Sequence, residues 1–597
     1  MTIAQEPSTS VVPGGSFLLE EFPPEDLFTP DELSEEHRMI QSTAERFMLE
    51  RVMPNLERIE NKDYDLLKRL IRESAELGLL GAEIPEEYGG LQLDLLSSML
   101  IGEEVSRLAS WSVTFGAHTG IGSYPILYFG TEDQKAKYLP MIVTGEKISS
   151  YALTEPHAGS DALAARTKAV LSEDGKHYVL NGSKMWITNG GFADLAMVFA
   201  KVDGTKFTCF IVETDTPGFS PGADEKKLGL KGSSTTALTL ENVRVPVENV
   251  VGEIGRGHKI ALNVLNIGRF KLGAWCMAGA KFALNEAILY AKERTQFGKN
   301  LHEFGAIKQK LGQMITRIWI GDAMNYRTAG LIERGLKASP SGDSAAKLKA
   351  IEEYAAECAA IKVMSSEFLD FVVDEMVQIY GGYGYSCEYP AERAYRDARI
   401  NRIFEGTNEI NRLTITGMLL KRAMANRLPL MDRLMEIQTE LQEGIQQADV
   451  PGPIGREKNL VLASKKASLL CAGLAINAVG FDRPEEKHQE VLMRISDLVM
   501  EVYAQDSGWL RCQKMILDRG EEKVSLQIDA LRVFLNDSTN RIRTNCRQLL
   551  SEVISDPDEL TGYLANIETI LDSMPISTVA PLRRLADRAV ELGRYPL

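Results

Sequence analysis

The sequence predicts a mainly α protein with one inserted β-domain, and three observations carry that reading. Apolar residues recur at helical spacing from about 34 to 147, and again from about 257 to the C-terminus. Between them, over about 148–256, short runs rich in β-branched and aromatic residues are punctuated by Asp-Gly turns. At 597 residues the chain exceeds one ordinary core, so several domains are expected. The period changes divide it into an arm (1–33), a helical domain (34–147), a β-domain (148–256), a long-helix bundle (257–425) and a helical extension (426–597). A β-module set into helices leaves a cleft between domains, a common place for a ligand.

Residues 1–33 hold several prolines and acids and are expected to form an extended arm. Ser34-Glu35-Glu36 reads as a helix start, followed by Met39, Ala44, Phe47, Met48 and Val52 at roughly helical spacing. Helices are expected at about 63–77, 93–107, 111–129 and 132–143, with a loop at Ile84-Pro85-Glu86-Glu87-Tyr88-Gly89-Gly90. Residues 167–171 and 178–182 flank Asp174-Gly175, and 195–201 and 207–213 flank Asp203-Gly204, which gives two hairpin signals. Strands near 237–241 and 243–247, the second broken by Pro246, complete a small antiparallel barrel or sandwich. Helical spacing resumes at about 257–295, 304–336, 344–380 and 390–399, and again from 408. A Gly/Pro-containing linker at 446–455 precedes helices at about 456–479, 483–519, 523–552, 557–572 and 578–593.

Composition narrows the function. A net charge of −16 speaks against nucleic-acid binding through general basicity. The seven cysteines are scattered without a CxxC pair, which reads as reduced thiols and no zinc site. Residues 1–16 lack the basic and apolar regions of a secretory signal and the arginines of a mitochondrial presequence. No apolar run reaches about 18 residues, so no transmembrane helix is expected. A cytoplasmic location follows as the expectation.

The chemistry centres on Arg402-Ile403-Phe404-Glu405-Gly406-Thr407-Asn408. Glu405 stands between an aromatic residue and a glycine at the entrance to a helix that Thr407 or Asn408 can cap. Free N–H groups at such an entrance attract an anion such as pyrophosphate, and a general base can work there. A solvated loop carboxylate is the alternative. Four more stretches carry polar or planar-binding groups. Leu153-Thr154-Glu155-Pro156-His157-Ala158-Gly159-Ser160-Asp161 is small and hydroxylated around a turn. In Lys184-Met185-Trp186-Ile187-Thr188-Asn189-Gly190-Gly191, Trp186 and Thr188 share one side of a strand, where an indole can stack on a planar cofactor. Arg294-Thr295-Gln296-Phe297-Gly298-Lys299 ends a helix with an arginine able to grip pyrophosphate. Gln378-Ile379-Tyr380-Gly381-Gly382-Tyr383-Gly384 allows close backbone approach to a nucleotide. Each of the four also reads as structure alone: a polar loop, a buried Trp near a turn, a base complementing a helix dipole, a helix-ending loop.

Together and in this order these stretches resemble the acyl-CoA dehydrogenase family of flavoproteins over about residues 36–420. The extension beyond 420 and the wording Asn266-Ile267-Gly268-Arg269-Phe270 resemble the very-long-chain branch. The resemblance implies an acyl-CoA dehydrogenase-like fold: an N-terminal helical domain, a middle β-barrel and a C-terminal four-helix bundle, plus an extra C-terminal helical domain. It places FAD between β-domain and bundle, partly held by a second subunit. By motif it assigns cofactor contacts to Tyr151, Leu153, Thr154, Gly159, Ser160, Trp186, Ile187, Thr188, Arg294, Phe297, Gln378, Ile379, Gly381, Gly382, Thr407 and Asn408. It assigns substrate contacts to Ser160, Asn266, Arg269 and Gly406, and the catalytic base to Glu405. Some relatives carry the base just before the arginine equivalent to Arg269. That position here is Gly268, so the sequence offers one base. Lys308 stands where relatives often have Gln, and His157 replaces a small residue.

The implied reaction is α,β-dehydrogenation of a long-chain acyl-CoA in fatty acid β-oxidation. Glu405 takes the pro-R α-proton, the β-hydrogen leaves as hydride to flavin N5, and the product is a trans-2-enoyl-CoA. Electrons pass to electron transfer flavoprotein. An acyl-CoA oxidase passing electrons to dioxygen, or a scaffold on the same fold, are the alternatives. A homodimer is expected, as is no role for nucleic acid or metal. The helical pattern at 456–479 mixes Arg456, Lys458, Lys465 and Lys466 with leucines. It suits either packing onto the body or peripheral contact with a membrane.

Overall fold

The computed structural model describes residues 11–339, 344–444, 450–480, 484–572 and 575–597. Residues 446–449 of the expected linker and 1–10 of the arm lie outside these.

The N-terminal layer is α1 (Glu35–Phe47), α2 (Leu56–Glu60), α3 (Tyr64–Glu76), α4 (Leu95–Val105), α5 (Ala109–Gly116), α6 (Tyr124–Phe129) and α7 (Glu132–Val143). Ser34 caps α1 by accepting the His37 N–H at 3.1 Å. Asp63, Asp94 and Thr131 likewise accept the N–H three residues on and fix the starts of α3, α4 and α7. Each such cap is worth about 1 kcal/mol.

The β-domain comprises β1 (Ser149–Ala152), β2 (Lys168–Leu171), β3 (His177–Thr188), β4 (Leu195–Val202), β5 (Lys206–Glu213), β6 (Phe219–Asp224), β7 (Thr235–Pro246) and β8 (Val250–Val251). They form one sheet in the order β6-β7-β3-β2-β4-β5-β8, with β1 also on β4. Two expectations are corrected here. The sheet is mixed, because β1 and β2 both run parallel to β4 along one edge. The two expected strands at 237–241 and 243–247 are one strand, since Pro246 stands at its last position, where a missing N–H costs no inner ladder bond. One face of the sheet buries Ala152, Leu180, Ile187, Val198 and Phe210. Tyr151, Leu195, Phe199 and Phe207 instead join the core shared with the helices. Through that shared core β1 lies against residues 117–121 and β5 against the helix that begins at Gly257.

The bundle is α8 (Gly257–Glu293), a hairpin of β9 (Thr295–Gln296) and β10 (Lys299–Asn300), α9 (Gly305–Lys337), α10 (Ser344–Glu353), α11 (Ala355–Tyr380), α12 (Pro390–Ala398) and α13 (Asn408–Met424). Helices α8, α9, α11 and α13 pack side by side. The extension adds α14 (Leu430–Glu443), α15 (Gly455–Val479), α16 (Pro484–Lys487), α17 (Gln489–Arg519), α18 (Ser525–Val553), α19 (Pro557–Ile570) and α20 (Val579–Leu592). Its α17 lies on α9 and α13, and α20 on α9.

The arm is not a loose extension. From residue 11 it is tied into the body: Phe17 packs on Tyr503 at 4.7 Å between ring centres, and Gly15 N–H donates to Glu357 at 2.7 Å. Helix α15 is, among the described residues, the one helix long and apolar enough by length and composition to cross a membrane. Its most apolar window is 61% buried against neighbouring helices, and Lys458 and Lys465 turn inward to Trp509 and Asp506.

Candidate functional site

The turn before α13 has an unusual backbone. Glu405 has φ +57° and Gly406 φ +81°. A left-handed conformation costs a non-glycine residue of order 1 kcal/mol and persists only where surroundings impose it. Here they do. Arg269 Nε donates to the Glu405 carbonyl at 3.1 Å, and Asn411 Nδ2 to the Gly406 carbonyl at 2.8 Å. Lys362 Nζ donates to the same Gly406 carbonyl at 2.8 Å. A Cβ on Gly406 would stand 3.2 Å from both Arg269 and Asn411, so a side chain there would push apart the groups that hold the turn. Thr407 caps α13 by accepting the Ile410 N–H at 3.2 Å.

The Glu405 carboxyl faces inward. Its Oε2 is buried and has no hydrogen-bond partner. Burial pushes it up to about 7, against the opposing pull of Arg269 and Lys362. The space it occupies exists because α8 carries glycine opposite: a Cβ on Gly268 would lie 2.6 Å from Oε2. Both cations are spent on other atoms. Arg269 also donates to Asn266 Oδ1 at 3.0 Å, and Lys362, itself brought down to about 8 by burial, donates to Asn408 Oδ1 at 2.7 Å. The Asn408 amide is further committed to Ser366 and Glu367, each at 3.1 Å.

The β-domain reaches the same cavity through Thr188 and Leu230. A register shift between Lys184 and Ile187 breaks the alternation of β3, and Trp186 takes φ +60° there. The result exposes 54% of Trp186 while Ile187 stays in the sheet core. Lys184 is wholly buried and donates to Glu155 at 2.7 Å and to the Leu153 carbonyl at 3.2 Å. With the Met185 N–H donating to the Thr154 carbonyl at 2.9 Å, this ties the 153–161 loop to the bulge. Tyr151 is buried, packs edge-on to Phe199 at 5.2 Å, and its hydroxyl has no partner. Gly159 and Ser160 are exposed on the loop.

A cavity of about 470 Å³ opens at Thr188, Gly268 and Glu405 and runs between α5, α8 and α12. Its α8 wall continues through Leu272, Trp275, Cys276, Gly279 and Phe282 to Glu286. The remaining predicted contacts lie elsewhere. Arg294, Ile379, Gly381 and Gly382 line a separate groove of about 540 Å³ beside the stacked pair Tyr290 and Tyr380, and none of them borders the first cavity. Phe297 is 92% exposed at the tip of the β9–β10 hairpin, and Gln378 is exposed as well.

A flavin dinucleotide fits these features. An exposed indole adjoins a cavity-lining threonine, and the buried Tyr151 hydroxyl and Glu405 Oε2 both stand without a hydrogen-bond partner. Sequence reasoning missed Lys362, Asn411 and the Glu155–Lys184 pair. Lys362 had a signal, as a lone cation in the apolar run Ala359-Ala360-Ile361-Lys362-Val363-Met364. Lys308 now has its explanation: its ammonium pairs with Asp587 of α20, so it serves the extension. His157 is exposed on its loop.

Four family models match the chain. They are described as the N-terminal domain (residues 34–146), the middle domain (150–243) and the C-terminal domain (255–420) of acyl-CoA dehydrogenase, and again as an acyl-CoA dehydrogenase C-terminal domain (463–568). A protein of Bacillus subtilis (strain 168) named "Probable acyl-CoA dehydrogenase" is 44% identical over 591 residues, spanning 98% of this chain and 99% of that protein. The very long-chain specific acyl-CoA dehydrogenase of Rattus norvegicus mitochondria is 40% identical over 371 residues, 60% of this chain and 53% of its own length. A crystal structure of acyl-CoA dehydrogenase complexed with FAD from Bacillus anthracis superposes with a TM-score of 0.96 at 45% identity, covering 98% of this chain and 100% of that one.

Proposed function

The chain belongs to the acyl-CoA dehydrogenase family of FAD-dependent oxidoreductases, and we propose that it desaturates long-chain acyl-CoA between Cα and Cβ, with Glu405 as the base. The observation that carries this reading is the Glu405 carboxyl: buried, unpartnered at Oε2, brought to about 7 and open to the cavity. A base near neutrality is substantially ionised at working pH and still strong enough to take a weakly acidic α-proton. Arg269 and Lys362 stay within electrostatic reach without bonding the carboxyl, so it remains free to accept that proton. The Glu405 N–H would donate to the thioester carbonyl as negative charge develops on it. Trp186, Thr188, Thr154 and Tyr151 would hold FAD, which when bound supplies the acceptor for the β-hydride.

Chain length rests on the cavity. From Gly268 to Glu286 its α8 wall advances eighteen residue steps, about 27 Å of helix, long enough for an extended acyl tail. The second groove supports the homodimer we propose: Arg294, Ile379, Gly381 and Gly382 line it apart from Glu405, where they would serve a partner's cofactor. Electron transfer flavoprotein is the proposed acceptor and the cytoplasm the proposed location, while α15, with Lys458 and Lys465 turned inward, is read as packing onto the body rather than as a membrane contact. The test is an anaerobic titration of the purified flavoprotein with octanoyl-, palmitoyl- and longer acyl-CoAs, following loss of oxidised flavin absorbance. Bleaching strongest at palmitoyl or longer supports the proposal. Bleaching with short or branched thioesters alone overturns the chain length, and no bleaching with any thioester overturns the enzyme reading.

A further inference from the structure

One cavity-lining side chain has no role in the chemistry above. Trp275 lies seven residues beyond Gly268 on α8, about 10 Å along the helix. Its indole is lodged against α4 and α5. A Cβ on Gly102 would overlap the indole Nε1, and one on Gly116 would stand 2.6 Å from Cη2. Neither glycine takes a left-handed φ, so room for the ring, and not backbone freedom, is what both provide. The Nε1–H is buried without a hydrogen-bond partner, a cost of about 1–3 kcal/mol that the packing offsets. Next to it Lys271 also lines the cavity, yet its ammonium is taken by Glu83, Ser98 and Tyr124. Lys271 therefore offers the cavity no free ammonium at this level.

We propose that Trp275 is a specificity-determining residue: seated in the notch made by Gly102 and Gly116, it sets how far an acyl chain can run into the cavity. The inference rests on the acyl-CoA reading of the Glu405 site. An extended chain advances about 1.2 Å per bond, so about eight bonds carry it from Gly268 to the indole. An octanoyl chain ends beside the ring, and a palmitoyl chain must pass it towards Gly279, Phe282 and Ala283. A methyl group in the notch would force the ring out into that path.

The test compares wild type, Gly102→Ala, Trp275→Ala and the double variant as holoproteins. Two quantities are read: the ratio of palmitoyl-CoA to octanoyl-CoA rate constants for anaerobic flavin bleaching, and the calorimetric Kd of a hexadecyl-CoA thioether that cannot react. Gly102→Ala should lower the ratio by about tenfold or more, as expected when a pocket loses room for methylenes, and weaken the thioether in step. Adding Trp275→Ala should restore both, because the displaced ring is then gone. An unchanged ratio in Gly102→Ala, or a double variant as impaired as the single, overturns the role of Trp275. Failure of wild type to bleach with either thioester instead removes the acyl-CoA reading beneath it.

Discussion

The extension and the Glu405 turn both bury a carboxylate beside two cations, with opposite results. Asp506 on α17 is enclosed, and burial alone would raise it. Its oxygens nevertheless take Lys465 Nζ at 2.9 Å and Arg327 Nη1 at 2.9 Å, and those cations hold it below the usual carboxylate range. Glu405 has Arg269 and Lys362 nearby, but both donate to backbone carbonyls and to Asn266 or Asn408. Burial then wins, and the carboxyl stands at about 7. What separates a carboxylate held low from one raised to about 7 is therefore where the cations' donors are spent, not whether cations are present.

The largest effect should come from removing the poised group itself. Glu405→Gln keeps shape and FAD but has no basic oxygen, so the flavin reduction rate should drop by about 10³-fold. The pH profile sharpens the point. The base works as carboxylate, so the wild-type rate should rise with pH through about 7 and level off above it, whereas the residual rate of the variant should lack that step. Stopped-flow reduction by palmitoyl-CoA from pH 5.5 to 8.5 measures both. A variant reducing at the wild-type rate would refute the assignment.

A smaller effect isolates geometry from charge. Gly268→Ala places a methyl 2.6 Å from Oε2 and displaces the carboxyl without altering any ionisable group. Alanine is the better helix former by about 1 kcal/mol, so the variant should unfold no earlier than wild type. A displacement of that kind should still cost about 10²-fold in flavin reduction. Thermal unfolding and single-turnover reduction on one preparation separate the two.

Much of this was legible in the sequence, and the failures have physical causes. The long helices and their caps were readable because Ser34 and the periodic apolar faces act locally. Strand β1 was missed since its four residues are all buried, and β6 since most of it is exposed; neither shows an alternation. Glu405 was singled out by its motif, with burial expected to raise its carboxyl towards neutrality as observed, but the contacts that hold its turn were not legible. The path of Lys362 and Arg269 to carbonyls, and the fit of Trp275 against Gly102, are contacts between residues up to 173 positions apart. Spacing along the chain cannot report them.

The last prediction takes the other half of the comparison and should leave catalysis alone. Asp506 joins α15, through Lys465, to α9 of the bundle, through Arg327, so it fastens the extension to the catalytic body. Asp506→Asn preserves the shape but leaves two cations in the interior without their counter-charge, which costs about 3–5 kcal/mol for a broken buried pair. The expected result is a lower denaturation midpoint and earlier proteolytic cleavage in the extension, with the flavin reduction rate per bound flavin unchanged. If that rate falls as steeply as the midpoint, the two regions are coupled through more than packing, and the paired carboxylate is not merely structural. If neither changes, the pair does not fasten the extension, and the arm at Phe17 and Gly15 becomes the next place to look for what does.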